Sequence, residues 1–402
     1  MQMGMGNVHG SETQARWLPP MTAAIPVSIF SLAALAIPLA AAESLHLSPH
    51  QTGAWLVALY GIPAFLSLVL TIASRQPLFV AWHTGVVVFL ASVAGELSYA
   101  DLRGAVLVGG LVVLGLGLSG LTIQVARLVP APVIHGIVAA TALPFVVGVF
   151  DALGDERLLV GGALLAYLGG RRLFGAQIPP ILPALVVGLV LAAGTGRLGG
   201  LPGGWAAPPI AMVRPGFSLA AIVTVVPVFV ALVAFHANLT YRVYLQSQGY
   251  QPPARMLDVA TGVGSVIGSL LGPGPVCMGQ AVVALIAGPD AGERQVRHWS
   301  VYVSASVFLV IALGAAIAAE VPTMVPLRFL LAIAGLALLG VFGHALEEAT
   351  RGPLRMAPVL AFAVAASDLS LLGLGAAFWA LVVGTGAALL LEGEAASTLR
   401  TA

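Results

Sequence analysis

Apolar runs long enough to cross a lipid bilayer follow one another along almost the whole of this 402-residue chain. A helix needs about 20 apolar residues to cross the hydrocarbon core. Hydrophobic residues make up 59% of the chain and charged residues 8%, and the mean hydropathy is +1.01. This composition excludes an ordinary soluble globular protein and predicts an all-α, polytopic membrane protein.

The apolar runs predict about fourteen membrane spans in two sets of about seven. The first set lies near residues 22–42, 52–74, 77–94, 101–120, 132–150, 156–173 and 179–195. The second set lies near residues 217–241, 255–271, 273–288, 296–319, 326–346, 354–368 and 371–391. Because seven is odd, two consecutive sets must enter the membrane from opposite sides. The sequence therefore predicts a 7+7 inverted repeat. Its segments are an N-terminal tail (1–20), the first repeat (21–196), a Gly- and Pro-rich linker (197–216), the second repeat (217–392) and a C-terminal tail (393–402).

The third span of each set is predicted to be broken. Residues 77–92 and 273–288 each run from a proline through an extended-looking piece to a polar residue, Thr84 or Gln280, and then into an apolar half-helix. About 13 residues are left for helix, which is too few to span a bilayer. The two segments begin 196 positions apart. Paired breaks of this kind point to a transporter's binding site, because a helix that starts inside the membrane has free N–H groups and a positive dipole end.

The arginines predict the orientation of the chain, which contains no lysine. With the N-terminus inside, twelve of the 17 basic residues fall on the cytoplasmic side and five on the outer side. Cytoplasmic segments of membrane proteins carry the excess of basic residues. Both termini are therefore expected in the cytoplasm.

Acidic residues cluster at the predicted span ends, and Asp258, Glu320 and Asp368 are expected at the membrane interface as well. This placement argues against a carboxylate proton relay or a carboxylate cage for Na⁺. The single cysteine, Cys277, makes a metal–thiolate cluster unexpected. No nucleophile–base pair, cofactor loop or basic tract stands out, so we expect no enzyme activity, no metal, no cofactor and no nucleic-acid partner.

The polar residues predicted within the membrane are neutral or titrate near pH 7, and they lie at the two breaks and in the eighth span. They are His83, Thr84, Gln280, His236 and Asn238. Each also has a structural interpretation: Thr84 and Gln280 as helix caps, Asn238 as a bridge between helices, and the histidines, with His135 and His344 near span ends, as hydrogen-bonded structure. On a regular helix His236 and Asn238 diverge by ~200°, whereas Phe235 and Asn238 share a face that would suit an aromatic carboxylate.

Several motifs resemble those of the BenE family of benzoate/H⁺ symporters. One runs from Asn238-Leu239 to Gly249-Tyr250-Gln251-Pro252-Pro253 and on to Ala287-Gly288-Pro289-Asp290-Ala291. Another runs from Trp55-Leu56-Val57-Ala58-Leu59-Tyr60-Gly61 to Ala81-Trp82-His83-Thr84-Gly85. The resemblance covers residues 20–392 and keeps order and spacing. Three residues depart from the pattern expected of the family: His83 stands in place of a serine, and His236-Ala237 in place of Ser-Gln.

The family is similar in fold to uracil permease and the sulfate-permease-like carriers. This resemblance implies a core of spans 1–4 and 8–11 that moves against a gate of spans 5–7 and 12–14, with substrate between the third and tenth spans. It also implies a bacterial inner-membrane location and a possible homodimer. In that wider fold a glutamate follows a glycine of the tenth span, whereas this chain has Gly279-Gln280. Loss of the acid favours an anionic substrate.

The sequence therefore predicts proton-coupled transport of a small aromatic carboxylate such as benzoate, with membrane lipid as the surroundings. The predicted substrate-binding residues are Ser31, Trp82, His83, Thr84, Gly85, Phe235, Asn238, Met278, Gly279 and Gln280. The proton is carried either on the substrate itself or on a histidine, with His83 and His236 as the candidates. Transport of a nucleobase or an inorganic anion, or an anion channel on the same fold, are the alternatives.

Overall fold

A computed structural model describes residues 8–175, 178–200 and 204–396 of the chain, with side chains from residue 17 onward. The first seven and last six residues, which belong to the predicted tails, and residues 201–203 of the predicted linker lie outside the described residues. The described linker residues, 197–200 and 204–216, form no helix or strand.

Helices make up most of the described chain. In the first half they are α1 (Val8–Ala34), α2 (Ala36–Ser44), α3 (Pro49–Leu56), α4 (Ile62–Ser74), α5 (Thr84–Ser92), α6 (Tyr99–Ser119), α7 (Thr122–Ala126), α8 (Ala131–Asp155), α9 (Arg157–Phe174) and α10 (Ile181–Gly194). In the second half they are α11 (Leu219–Val230), α12 (Leu239–Ser247), α13 (Ala254–Ser269), α14 (Val283–Ala287), α15 (His298–Leu313), α16 (Ala315–Ala319), α17 (Val321–Met324), α18 (Leu327–Arg351), α19 (Met356–Ala365) and α20 (Ala376–Leu390). Wider π-helical turns at Val57–Gly61 and Ala231–Asn238 join α3 to α4 and α11 to α12.

Six continuous helical stretches of the described chain are long and apolar enough to cross a membrane. They are Trp17–Ser44, Pro49–Ser74, Tyr99–Ser119, Ala131–Asp155, Leu219–Ser247 and Leu327–Arg351. Four shorter apolar helices coincide with four of the eight remaining predicted spans, namely Ile181–Gly194, His298–Leu313, Met356–Ala365 and Ala376–Leu390. The protein is thus a mostly helical membrane protein. The first helix begins at Val8, well before the expected start of the first span at residue 22.

The two proline-led segments meet in a short antiparallel pair of strands, β1 (Val80–Trp82) and β2 (Val276–Met278). The register pairs Val80 with Met278, Ala81 with Cys277 and Trp82 with Val276. After β1 the chain enters the nine-residue helix α5, and after β2 it forms a 3₁₀ turn at Gln280–Val282 and then the five-residue α14. Both helices are shorter than the ~13 residues that the apolar runs predict, because the chain leaves helical geometry again near Val93 and Gly288.

Side chains of neighbouring helices supply the hydrogen bonds that so short a ribbon cannot make for itself. Ser67 Oγ accepts from the N–H of Val80 at 2.8 Å, and Ser265 Oγ accepts from the N–H of Val276 at 3.0 Å. The hydroxyl of Tyr241 accepts from the N–H of Phe79 at 2.8 Å. Buried backbone groups without partners are costly in a membrane protein, so these side chains stabilise the ribbon.

The helices pack in two groups around the ribbon. In one group α6 lies along α13 and α11, and α15 lies against α1 and α4. In the other α8 lies along α18 and α19, α9 lies against α10, and α19 lies along α20. The β1–β2 ribbon belongs to the first group, through contacts of β1 with α4 and of β2 with α13. The space between the two groups holds the site described below.

The contact between α6 and α13 depends on glycines. A Cβ at Gly262 would lie 2.6 Å from the backbone nitrogen of Leu114 and 2.9 Å from the carbonyl oxygen of Gly110. Backbone atoms cannot move aside as a side-chain tip can. The two helices approach this closely because both carry glycine at the contact.

We therefore expect Gly262→Ala to destabilise the protein by about 2 kcal/mol, because the added methyl forces α6 and α13 apart. Gly115→Ala on α6 is the matched control, since a Cβ there meets no atom within 4 Å. Thermal unfolding in detergent measures both. Equal unfolding temperatures for the two variants would contradict the close-packing argument.

Candidate functional site

A cavity of about 440 Å³ lies where the β1–β2 ribbon and the start of α5 face α8 and α18. Its volume is within the usual range for small-molecule sites, about 300–1,000 Å³. The residues that line it are Phe30, Ser31, Ala34, Phe79, Ala81, Trp82, His83, Thr84, Gly85, His135, Val138, His236, Cys277, Met278, Gly279, Gln280, Ala281, Val282, Phe308, Ala337, Gly340, Val341, His344 and Ala345. The site is therefore shared between the two groups of helices.

Most of the residues predicted to bind substrate come together here. They are Ser31, Trp82, His83, Thr84, Gly85, Met278, Gly279 and Gln280. The prediction that Phe235 and Asn238 share the cavity face is wrong, because neither lines it. The π-helical turn at Ala231–Asn238 changes the angular spacing on which that prediction relied and presents His236 to the cavity instead.

Asn238 is part of a buried polar network on the far side of β2. Its Nδ2 donates to Asp258 Oδ1 at 2.9 Å and to Thr261 Oγ1 at 2.8 Å, and its Oδ1 accepts from the N–H of Met278 at 3.0 Å. Thr122 Oγ1 completes the network by donating to Asp258 Oδ2 at 2.7 Å. Asp258, which the sequence places at the membrane interface, is buried within the protein, with 5% of it exposed. Through the bond to Met278, the network fixes the β1–β2 ribbon on the side away from the cavity.

The N-terminus of α5 opens into the cavity. His83, rather than Thr84, is its capping residue: Nδ1 of His83 accepts from the N–H of Val86 at 3.3 Å. The carbonyl of His83 accepts from the N–H groups of Val86 and Val87, both at 3.1 Å. The N–H groups of Thr84 and Gly85 make no hydrogen bond within the described part of the chain. Two free donors at a helix N-terminus are suited to bind an anion.

Four histidines follow one another along the cavity. Nε2 of His83 and Nδ1 of His236 are 3.2 Å apart. The ring of His135 lies 4.9 Å from that of His236, and the ring of His344 lies 6.2 Å from that of His135. His83 and His236 belong to the ribbon side, and His135 on α8 and His344 on α18 belong to the other. The sequence favours a structural interpretation of His135 and His344, although an ionisable residue in an apolar span is itself typical of a functional site.

Aromatic rings form the wall opposite α5. Phe79 and Phe308 are in contact, with ring centroids 5.1 Å apart, and Tyr60 lies behind them, 4.9 Å from Phe308 and 6.0 Å from Trp82. Phe30 adds a further ring. Among the described lining residues there is no Asp, Glu, Lys or Arg. The cavity thus combines an apolar wall with hydrogen-bond donors and titratable imidazoles, which is a suitable environment for an amphipathic anion.

The helical membrane fold and the cavity shared between its two groups of helices define a membrane transport protein. Comparison with known proteins gives the particular family. Residues 18–390 match the model of BenE, the benzoate membrane transport protein family, and the chain belongs to that family.

Two curated relatives and a solved structure are similar to most of the chain. The inner membrane protein YdcO of Escherichia coli is 27% identical over 338 residues, covering 83% of this chain and 85% of that protein. The benzoate membrane transport protein of Acinetobacter baylyi is 23% identical over 348 residues, covering 86% and 87%. The transmembrane domain of the cyanobacterial bicarbonate transporter BicA matches with a TM-score of 0.55 and 19% identity, covering 94% of this chain and 97% of that one. The last match shows the fold.

Proposed function

We propose that this protein carries a small aromatic carboxylate, such as benzoate, across the membrane together with a proton. One observation carries the proposal: the free N–H donors of Thr84 and Gly85 face the same cavity as the aromatic wall. The carboxylate binds at the N-terminus of α5, where the N–H groups and the helix dipole favour a negative charge. The ring lies against Phe79, Trp82 and Phe308. Membership of the BenE family and the name of the Acinetobacter baylyi relative support this substrate class.

Gln280 lies across the ribbon from α5 and also lines the cavity. Its side chain makes no hydrogen bond within the described residues, so its amide is available to the carboxylate. A glutamate at this position would repel an anion at short range in a low-dielectric site. The amide therefore favours a carboxylate substrate over a neutral nucleobase.

The proposed architecture has fourteen spans in a 7+7 inverted repeat, with the third and tenth broken at the cavity. The strand register supports it: Ala81 pairs with Cys277, and this pair is separated by the same 196 positions that separate Pro77 from Pro273. A two-fold axis in the membrane plane would pass through that pair. Spans 1–4 and 8–11 form a core that rocks against a gate of spans 5–7 and 12–14. Both termini lie in the cytoplasm of a bacterial cell, the protein is in the inner membrane, and it assembles as a homodimer.

Transport of an inorganic anion is the second candidate. The BicA domain, a bicarbonate transporter by name, has the same fold. The aromatic wall and the volume of the cavity favour the larger substrate, because apolar surface around a small hydrated anion would add no affinity. An anion channel would instead show flux far above carrier rates and no accumulation.

Uptake of radiolabelled benzoate into proteoliposomes under an inward proton gradient tests the proposal. We expect accumulation above that in empty liposomes, competition by other aromatic carboxylates, and no competition by uracil, sulfate or bicarbonate. Collapse of the gradient with a protonophore should abolish accumulation. If uracil, sulfate or bicarbonate competes and benzoate does not accumulate, the aromatic-acid function is wrong.

A further inference from the structure

The hydrogen-bond directions around His83 determine where its proton lies. The N–H of Val86 can only donate, so Nδ1 of His83, which receives that bond, carries a lone pair. A neutral imidazole with Nδ1 unprotonated has its hydrogen on Nε2. Nε2 of His83 therefore donates to Nδ1 of His236, 3.2 Å away, and His236 carries its own hydrogen on Nε2. In this arrangement both rings are neutral.

An additional proton cannot be accommodated without breaking one of these bonds. On Nδ1 of His83 it would set an N–H against the N–H of Val86, and the cap would be lost. On Nδ1 of His236 it would set an N–H against the Nε2–H of His83. That clash is relieved if His83 moves its hydrogen from Nε2 to Nδ1, which again removes the cap. Protonation of the pair is thus coupled to the N-terminus of α5.

We propose that His83 is a proton-operated cap on α5, whose protonation moves the imidazole away from the N–H of Val86 and adds a positive charge for the substrate carboxylate at the helix N-terminus. The proton comes from the aqueous side and binds Nδ1 of His83, and the imidazolium ring withdraws from the N–H of Val86. The proposal rests on the proposed function, since it needs an anion at the N–H groups of Thr84 and Gly85. It adds the reason why anion and proton bind together.

The local geometry makes withdrawal of the ring inexpensive. The N–H of Val86 also reaches the carbonyl of His83 at 3.1 Å, so it keeps an acceptor when the imidazole leaves. In the capping position the ring lies against Gly85 on the first turn, where a Cβ would be 3.1 Å from Cε1 and 3.3 Å from Nδ1 of His83. His83 itself is 6% exposed, so its new charge is poorly solvated by water and strongly favours a neighbouring anion.

The groups that face the pair from the other helices are themselves titratable. His135 on α8 and His344 on α18 line the same cavity, and the thiol of Cys277 on β2 lines it as well. Glu348, one turn beyond His344, interacts electrostatically with His135 and forms an ion pair with Arg351 at 2.7 Å. The nitrogens of His135 make no hydrogen bond within the described chain. His135 and His344 are thus the histidines that face the pair from α8 and α18.

Thermodynamic linkage between proton and anion binding determines how the benzoate affinity changes with pH. If the anion binds the protonated form preferentially, the anion raises the proton affinity by the same factor. Benzoate affinity of the wild type should then rise about tenfold for each unit that the pH falls from roughly 7.5 to 5.5, a range in which benzoate stays ionised. In the unbuffered detergent-solubilised protein, about one proton should be taken up for each benzoate bound.

His83→Asn tests the cap directly, because asparagine is a good N-cap that does not titrate. We expect this variant to bind benzoate with an affinity that does not depend on pH, to take up no proton, and to lose gradient-driven accumulation while exchanging labelled for unlabelled benzoate. The exposed His50 gives the matched control, and His50→Asn should behave as the wild type.

The wild-type proton count keeps the proposal testable even if His83→Asn does not fold. Benzoate binding by the wild type without proton uptake would overturn the proton-operated cap alone. Proton-coupled binding that survives unchanged in His83→Asn would also overturn it. Absence of benzoate binding by the wild type would instead overturn the proposed function, and the cap with it.

Discussion

Gln280→Glu should weaken benzoate uptake by about 100-fold, measured as kcat/KM in proteoliposomes near neutral pH. The side chain lines the same cavity as the N-terminus of α5, where the substrate carboxylate binds under the proposal. Placing a second carboxylate there sets like charges together in a site with little water. Such contacts cost several kcal/mol, and each 1.4 kcal/mol is a factor of ten.

A neutral variant distinguishes the effect of the introduced charge on benzoate uptake from the effect of losing the amide. Gln280→Leu keeps much of the volume and removes only the hydrogen-bonding group, so a loss of about tenfold is expected. The deficit of Gln280→Glu should shrink as the pH falls and the introduced carboxyl takes up a proton, whereas that of Gln280→Leu should not. Equal and pH-independent losses in the two variants would contradict an anion at this position.

Asn238→Ala should destabilise the protein by about 3 kcal/mol. The substitution removes three hydrogen bonds at a buried residue, of which only 2% is exposed. The N–H of Met278 and the carboxyl of Asp258 would both lose a partner inside the protein, and unsatisfied buried groups carry most of the penalty. Thermal unfolding in detergent measures the loss. Benzoate uptake should fall as well, since Met278 lies in the ribbon that lines the cavity.

A double-mutant cycle with Asp258→Ala tests whether the hydrogen bond to Asp258 accounts for the stability lost in Asn238→Ala. If Asn238 acts chiefly by satisfying the buried carboxyl, removing both residues should cost clearly less than the two single losses together. Simple additivity would mean that Asn238 and Asp258 stabilise the protein independently. The network described for the site would then not account for the stability of the ribbon.

The sequence by itself determined the class of fold and the position of the cavity along the chain. Both follow from local properties: an apolar run long enough to span a bilayer must be helical there, and proline at residues 77 and 273 interrupts it. The strands and the start of α5 fall where the breaks predict them, although the helices that follow are shorter than expected. The family motifs are likewise local, and the family that they indicate is confirmed by the match over residues 18–390.

Only the tertiary structure decided which side chains meet. His83, His135, His236 and His344 come from four different helices or strand ends, and no local periodicity relates them. The π-helical turn directs His236 towards the cavity and Asn238 towards Asp258. The hydropathy of the sequence does not predict this turn, because the turn changes the angle between residues and not their polarity. Capping of α5 by Thr84 is one interpretation that the sequence allows, beside substrate binding, yet His83 holds that position, since capping depends on the backbone angles of one residue and on space above Gly85.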